Sequence, residues 1–249
     1  MKSLAVASRS FSKHPILRNE ILKRYPDAKF NDEGLSLNGS SLIESLHGYG
    51  KAITALEITD EKILSAIRIV PRELFTENLD EAYENKALSV ECSQTLTQPF
   101  CTAFMISSLD LRPTNNVLEI GTGVGWTTAV ISKLVKTVFT VERFKILLDK
   151  AKKNIAKLNI KNVNYKLGNG FEGWGEIILF DAIIIGAASK VVPVKLLESL
   201  KNNGSLIMPK KYHIGNQKLL LVTKKSGNFE QKELLDVKFV PLLNEASVK

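Results

Sequence analysis

The chain has 249 residues, 44% of them hydrophobic, and a formal net charge of +8 from 34 Lys and Arg against 26 Asp and Glu. That size and composition fit a soluble globular protein with one large domain, or a domain plus a smaller unit, and no apolar run reaches the length of a membrane span. Two cysteines, Cys92 and Cys101, without C-x-x-C spacing argue against a disulfide framework or a thiolate zinc site and fit a reducing cytoplasm. In chain order, the opening "MKSLAVASRS" holds an apolar patch too short for a secretory leader core. "SLAVASRSF" reads as a strand, "HPILRNEILKRYP" as a helix with Pro15 near its first turn, and "AKFNDEG" as a short strand and turn. "GSSLIESLHGYG" is a helix ending at glycine, "KAITALE" a strand, and "TDEKILSAIRIV" a helix capped by Thr59 or Asp60. This alternation predicts a small parallel unit.

"VPRELFTENLDEAYENKALSV" is charged and broken, and "QTLTQPFCTAFMISSLDL" predicts a polar loop, Pro99, and a helix from about Phe100. Strands are expected at Asn116–Ile120, Val138–Glu142, Val163–Leu167, Asp181–Ile185, Ser205–Met208, Lys218–Thr223 and Val237–Pro241, with helices in the gaps up to Leu200. The last two strands, joined through "KSGN", read as an antiparallel pair. The fold class is therefore α/β: a doubly wound sheet with a carboxy-terminal antiparallel hairpin, preceded by a smaller βα unit. The boundary falls in Glu57–Ile69 and is set at 58/59, giving units 1–58 and 59–249.

Much of the positive charge lies in "KILLDKAKKNIAKLNIKN", residues 145–162. Ile146, Leu147, Ala151, Ile155 and Leu158 recur at helical spacing with lysines between them, which predicts an amphipathic helix with a solvated basic face. A nucleic-acid surface is the competing reading; no aromatic residues interleave to stack bases.

The chemistry centres on "NVLEIGTGVGWTTAV", Asn116–Val130. Gly121, Gly123 and Gly125 follow a buried strand and open a helix; the first permits a tight turn and the second lets a ligand approach the backbone. A nicotinamide site would want its third glycine at position 126, which is Trp126, and a P-loop would want a Gly-Lys-Ser/Thr ending. Glu119 before the first glycine suits a cationic ligand without pyrophosphate, such as S-adenosyl-L-methionine. Glu142 ends the next strand, where an acid can accept both ribose hydroxyls. On the residues alone, a methyltransferase site, a dinucleotide site and a glycine-rich turn without function stay open.

From about Thr59 to Leu243 the chain resembles the protein-L-isoaspartate (D-aspartate) O-methyltransferase family. The resemblance rests on "VPRELF", "QTLTQPF", "VLEIGTGVGW", "TVERFKILLDKAKKNI", "GNGFEGW", "FDAIIIGAAS", "VVPVKLLESLKNNGSLIMP", "GNQKLLLV" and "VKFVPLL", in the family's order. It implies a class I methyltransferase (Rossmann-like) fold with a seven-stranded sheet, S-adenosyl-L-methionine as cofactor, and isoaspartyl-containing peptides or proteins as partners. It also implies that Glu119, Gly121 and Gly123, with Thr122 and Gly125, line the methionine end of the cofactor, that Glu142 holds the ribose, and that Asn169 and Gly170 stand at the adenine. The loop Gln94–Pro99 would cover the substrate, with Thr97 at the family's active-site serine and Thr95 and Gln98 beside it.

Two departures stand out. The family's P-I-G-x-G-Q-T-I-S-Q-P reads "SVECSQTLTQP" here, so Glu91 and Ser93 replace two glycines, and Asn169 replaces an aspartate. Residues 1–58 resemble the start of D-isomer-specific 2-hydroxyacid dehydrogenases, a truncated flavodoxin-like unit. The catalytic and nucleotide-binding parts of that family lie beyond the segment, so no dehydrogenase activity is expected. His14 and His47 have no carboxylate partner at a telling spacing. No metal site and no catalytic triad is expected, because an ionised carboxylate and a sulfonium donor need mainly alignment. Three readings follow: methylation of the α-carboxyl of L-isoaspartyl or D-aspartyl residues in protein repair; the same fold and cofactor with another peptide carboxylate or RNA as acceptor; and a degenerate, non-catalytic binding module.

Overall fold

The computed structural model describes residues 29–31, 34–36, 58, 60–175 and 177–244. Near the start, β1 (Lys29–Asn31) and β2 (Gly34–Ser36), both within "AKFNDEGLS", pair antiparallel. A hairpin therefore stands where the alternation pattern predicted parallel strand–helix units: two strands only two residues apart can pair only antiparallel, since a parallel return needs a crossover. The other elements expected before residue 58, with His14 and His47, lie outside the described residues.

Helix α1 (Glu61–Ile69) starts where Asp60 accepts a hydrogen bond from the Lys62 amide at 2.9 Å, and it buries Ile63, Leu64, Ala66 and Ile67 on one face. The charged stretch after it forms short turns. A small antiparallel hairpin follows, β3 (Leu88–Val90) with β4 (Gln94–Leu96), outside the main sheet. Pro99 then opens α2 (Pro99–Ser107), where a missing amide proton costs nothing.

The main sheet is built from β5 (Asn116–Ile120), β6 (Thr137–Glu142), β7 (Val163–Leu167), β8 (Phe180–Ile185), β9 (Leu200–Lys211), β10 (Gln217–Lys225) and β11 (Asn228–Val237), in the order β11-β10-β9-β8-β5-β6-β7. Strands β9, β8, β5, β6 and β7 run parallel, and β10 and β11 run antiparallel. Helices α3 (Trp126–Ser132), α4 (Lys145–Lys157) and α5 (Val194–Glu198) connect them. Strand periodicity divides the core between the two faces. Val117, Ala182, Ile184 and Ile207 pack on one side with α1–α4, and Leu118, Ile120, Ile183, Ile185 and Leu206 pack on the other with Leu196 of α5. Such all-round burial explains the apolar run Ala182–Ile185 of β8 and the apolar residues on both faces of β5.

The final strand differs from the expectation of Val237–Pro241. Ser226 and Gly227 both have positive φ, 49° and 85°, and make a two-residue turn that sends β11 straight back along β10, from Lys225↔Asn228 to Gln217↔Val237. Its sequence "NFEQKELLDV" is polar because β11 is an edge strand, where charges face solvent and block further pairing. The apolar "FVPLL" lies beyond it and runs beside the segment that follows β8: the Ala188 amide donates to the Val240 carbonyl and the Leu242 amide to the Ala188 carbonyl, each at 2.7 Å. In α4 the buried stripe is Leu147, Leu148, Ala151 and Ile155, and Ile146 is 55% exposed, one position out of the expected face.

Candidate active site

The chain runs from β5 outward through β6 to β7, then returns to place β8 on the other side of β5. At such a reversal the two following loops part and leave a crevice at the carboxyl ends of the strands. The crevice is walled by Gly121–Val124 after β5, Glu142–Phe144 after β6, Gly186 and Ala187 after β8, and by Gly170. Gln94–Thr97 and Val240–Leu243 close its remaining sides.

Each glycine of the loop has its own reason. Gly121 (φ 94°) donates its amide to the Val141 carbonyl at 2.8 Å, and a Cβ there would face the Gly186 backbone at 3.9 Å. Gly123 (φ 54°) meets nothing within 4 Å in the direction of a Cβ, so its surface is open to a ligand. Gly125 (φ 98°) lies away from the crevice. A Cβ there would touch Ala151 and Ile155 at 3.0 Å, so this glycine lets α3 pack closely on α4.

The two acids differ. Glu142 faces the crevice, and its carboxylate accepts from the amides of Gly123 (2.8 Å), Arg143 (2.8 Å) and Phe144 (3.0 Å). Burial raises its pKa, opposed by those three amides. Glu119 points behind the loop instead and is 2% exposed. Its Oε2 accepts from Thr128 at 2.5 Å and Thr140 at 2.7 Å, and its Oε1 is buried with no hydrogen-bond partner among the described residues. Burial raises its pKa to about 7. Because the single Thr140 proton goes to Glu119, the 2.6 Å contact between Thr140 and Thr122 is a bond donated by Thr122. Glu119 thus reaches the crevice only through Thr140 and Thr122.

The loop after β4 supplies the hydroxyls. Thr95 and Thr97 line the crevice and also a groove on the outer side, formed with Phe100, Cys101 and Leu235–Phe239. Gln98 lies in the groove alone and donates to the Asn85 carbonyl at 2.8 Å. A buried cation anchors this loop. Arg72 is 0% exposed, donates to the carbonyls of Thr97 (2.7 Å) and Lys86 (3.1 Å), and lies 4.6 Å from the Trp126 ring centroid. Trp126 opens α3 and lines the crevice, so one guanidinium joins the loop to the glycine turn.

Of the residues singled out in the sequence, Thr95, Thr97, Gly121, Thr122, Gly123, Glu142 and Gly170 meet in the crevice, whereas Gln98, Glu119, Gly125 and Asn169 do not line it. The Asn169 side chain accepts from the Phe171 amide at 3.0 Å and donates to Asn244 at 3.2 Å. Sequence reasoning assigned no role to Arg143, Phe144, Gly186, Ala187 or Val240–Leu243. Gly186 had a usable signal, since it follows the apolar run "DAIII" as Gly121 follows "VLEI". Among the described residues no cluster of His, Cys, Asp or Glu could hold a metal, and no helix is long and apolar enough to cross a membrane.

A doubly wound sheet with an antiparallel end, a glycine loop after its central strand and an acid ending the next defines the α/β methyltransferase fold. Residues 18–247 match the profile of the family Protein-L-isoaspartate(D-aspartate) O-methyltransferase (PCMT). A protein-L-isoaspartate O-methyltransferase of Dictyoglomus turgidum is 44% identical over 82% of this chain and 90% of its own length. A solved protein-L-isoaspartate O-methyltransferase superposes with a TM-score of 0.73 at 26% identity, over 80% of this chain and 66% of that one. A Plasmodium falciparum protein of the same description, solved with S-adenosyl-L-homocysteine, gives 0.72 at 26% identity over 79% and 97%. The chain belongs to the protein-L-isoaspartate O-methyltransferase family. The dehydrogenase resemblance of residues 1–58 finds no support in these comparisons, and the methyltransferase match itself begins at residue 18.

Proposed function

We infer that this chain uses S-adenosyl-L-methionine to methylate the α-carboxylate of L-isoaspartyl or D-aspartyl residues in damaged proteins. The observation that carries the reading is the shared wall: Thr95 and Thr97 border both the glycine-loop crevice and the outer groove, so cofactor and acceptor can meet across them. The crevice suits the cofactor, with open backbone at Gly123 and a strand-end carboxylate at Glu142. When bound, S-adenosyl-L-methionine supplies a methyl group already activated on a sulfonium.

The chain's own residues then have modest tasks. Glu142 takes the ribose hydroxyls, and Gly121–Gly123 admit the methionine end. Glu119 steadies that turn from behind through Thr140 and Thr122. Asn169 and Gly170 belong to the adenine side, Asn169 by shaping the turn that presents Gly170. No base is required, because a carboxylate with an ordinary pKa of about 4 is ionised at neutral pH. The hydroxyls of Thr97 and Thr95 orient it, and Gln98 holds the loop from the groove side. Leu96 and Val240–Leu243 exclude water. Alignment of this kind can supply on the order of 7–11 kcal/mol of the barrier. The unlinked thiols, Cys92 exposed and Cys101 buried, go with a reducing cytoplasm, and residues 59–249 form the catalytic unit on this reading.

The test uses methyl-labelled S-adenosyl-L-methionine and two peptides that differ only in one isoaspartyl or one normal aspartyl linkage. Base-labile label on the isoaspartyl peptide alone is expected. Label on neither, with cofactor binding intact, would move the acceptor elsewhere.

A further inference from the structure

The segment 91–93 replaces two glycines of the family pattern with Glu91 and Ser93, yet it keeps a turn suited to glycine. Cys92 and Ser93 have φ of 58° and 54°, both left-handed, a region L side chains rarely adopt. Something must hold them there. Gln94 contributes locally, its amide bonding back to the Glu91 carbonyl and its side chain donating to the Cys92 carbonyl at 2.9 Å. The longer reach comes from α4. Lys150 forms an ion pair with Glu91 and a second with Glu77 at 2.7 Å. Lys150 and Glu91 are each about one third exposed, so the pair is neither dry nor fully screened.

The position of this bridge matters. α4 begins three residues after Glu142, and the turn at 91–93 leads directly into Gln94, Thr95 and Thr97 of the crevice. Lys150 therefore ties the helix behind the ribose acid to the strand that carries the acceptor hydroxyls. Charge points the same way. The fields of Glu142 and Glu91 both reach Cys92 and push its thiol pKa up, after the larger effect of burial. Glu91 does not line the crevice itself but stands three residues before Gln94, so its charge, left unpaired, would act along the acceptor loop.

We propose that Lys150 is a positioning residue for the acceptor loop: by bridging Glu91 and Glu77 it holds Cys92 and Ser93 in a left-handed turn without glycine, sets the line of Thr95 and Thr97, and offsets part of the charge Glu91 would present to an acceptor carboxylate. The inference rests on the methyltransferase reading for its kinetic consequences, though not for the tether itself.

Two measurements test it. With an isoaspartyl peptide, Lys150→Met should raise the acceptor KM about fivefold, a size fitting a partly exposed bridge, with kcat and cofactor affinity within about twofold. Glu91→Gly in the same chain should recover part of that KM, since it removes the charge that the first change leaves unpaired. Wild-type acceptor KM should rise as sodium chloride goes from about 0.05 to about 0.5 M, and the double variant should respond less. The second measurement needs no turnover: backbone hydrogen exchange across residues 88–98 should quicken in Lys150→Met and in wild type at high salt. An unchanged KM in Lys150→Met, or a double variant as poor as Lys150→Met, would overturn the proposal, as would exchange indifferent to the lysine. A wild type inactive on the peptide but with lysine-dependent exchange would instead count against the acceptor assignment and leave the tether standing.

Discussion

At the residue scale the site separates into groups that touch ligands and groups that hold them. Thr97→Val keeps shape and removes the hydroxyl, so turnover of an isoaspartyl peptide should fall at least about tenfold, the worth of one hydrogen bond to a charged group, with cofactor affinity nearly unchanged by calorimetry. Equal loss of both would remove the acceptor role. Glu142→Ala should do the reverse and weaken cofactor binding first, because it deletes the acid at the end of β6 and the anchor of the Gly123 amide. Glu119 carries a pH signature. Its folded pKa of about 7 lies above the ordinary 4.5, so the folded state holds this proton more tightly. The stabilisation is complete below about pH 4.5 and is lost as pH rises through about 7, on the order of 3 kcal/mol in all. Thermal unfolding of the ligand-free protein between pH 5 and pH 8 should therefore show a smaller loss in Glu119→Gln than in wild type; parallel profiles would refute the assignment. Spacing in the sequence was enough to find Gly121, Gly123 and Glu142, since each sits where a strand ends. It could not tell that Glu119, two residues before Gly121, is buried against Thr128 and Thr140 and does not line the crevice.

At the element scale, the small β3–β4 hairpin is held by a buried cation rather than by the main sheet. Arg72 spans two carbonyls that a lysine cannot reach together, so Arg72→Lys should cost about 1.5–3 kcal/mol in urea unfolding, the price of one charged hydrogen bond. A loss under about 0.5 kcal/mol would mean that the fork is dispensable, as for an ordinary surface change. The turn between β10 and β11 makes a simpler case. Gly227 has φ of 85° and open space around a Cβ, so Gly227→Ala should cost about 1–2 kcal/mol through backbone strain alone. That hairpin was legible at its turn and not along its second strand. "KSGN" carries a turn signal, whereas "FEQKELLD" lacks the apolar alternation by which strands are recognised. An edge strand needs little of that alternation, and the apolar "FVPLL" nearby is apolar for another reason, its packing against the crevice.

At the scale of the whole molecule, the crevice joins two halves of one sheet. A ligand there contacts loops after β5, β6 and β8 together, so it should stabilise the fold globally. At one hundred times its Kd, S-adenosyl-L-homocysteine should add about 2.7 kcal/mol, read as a rise in Tm, and Glu142→Ala should lose most of that shift at the same concentration. The local pattern of strands and helices, the glycine loop and the acid two elements on were all written in the sequence, because each depends on neighbours a few residues apart and on periods of 2 and 3.6. So was the family, through motifs in order along the chain. Which residues share the crevice was decided only by the tertiary structure. The meeting of Gly186, Val240–Leu243 and Thr97 around Gly123 follows from strand order, and the grip of Arg72 and Lys150 on the acceptor loop joins residues far apart in the chain. Strand order and such long-range contacts arise from burying both faces of one sheet, a free energy of the whole chain that no short stretch contains.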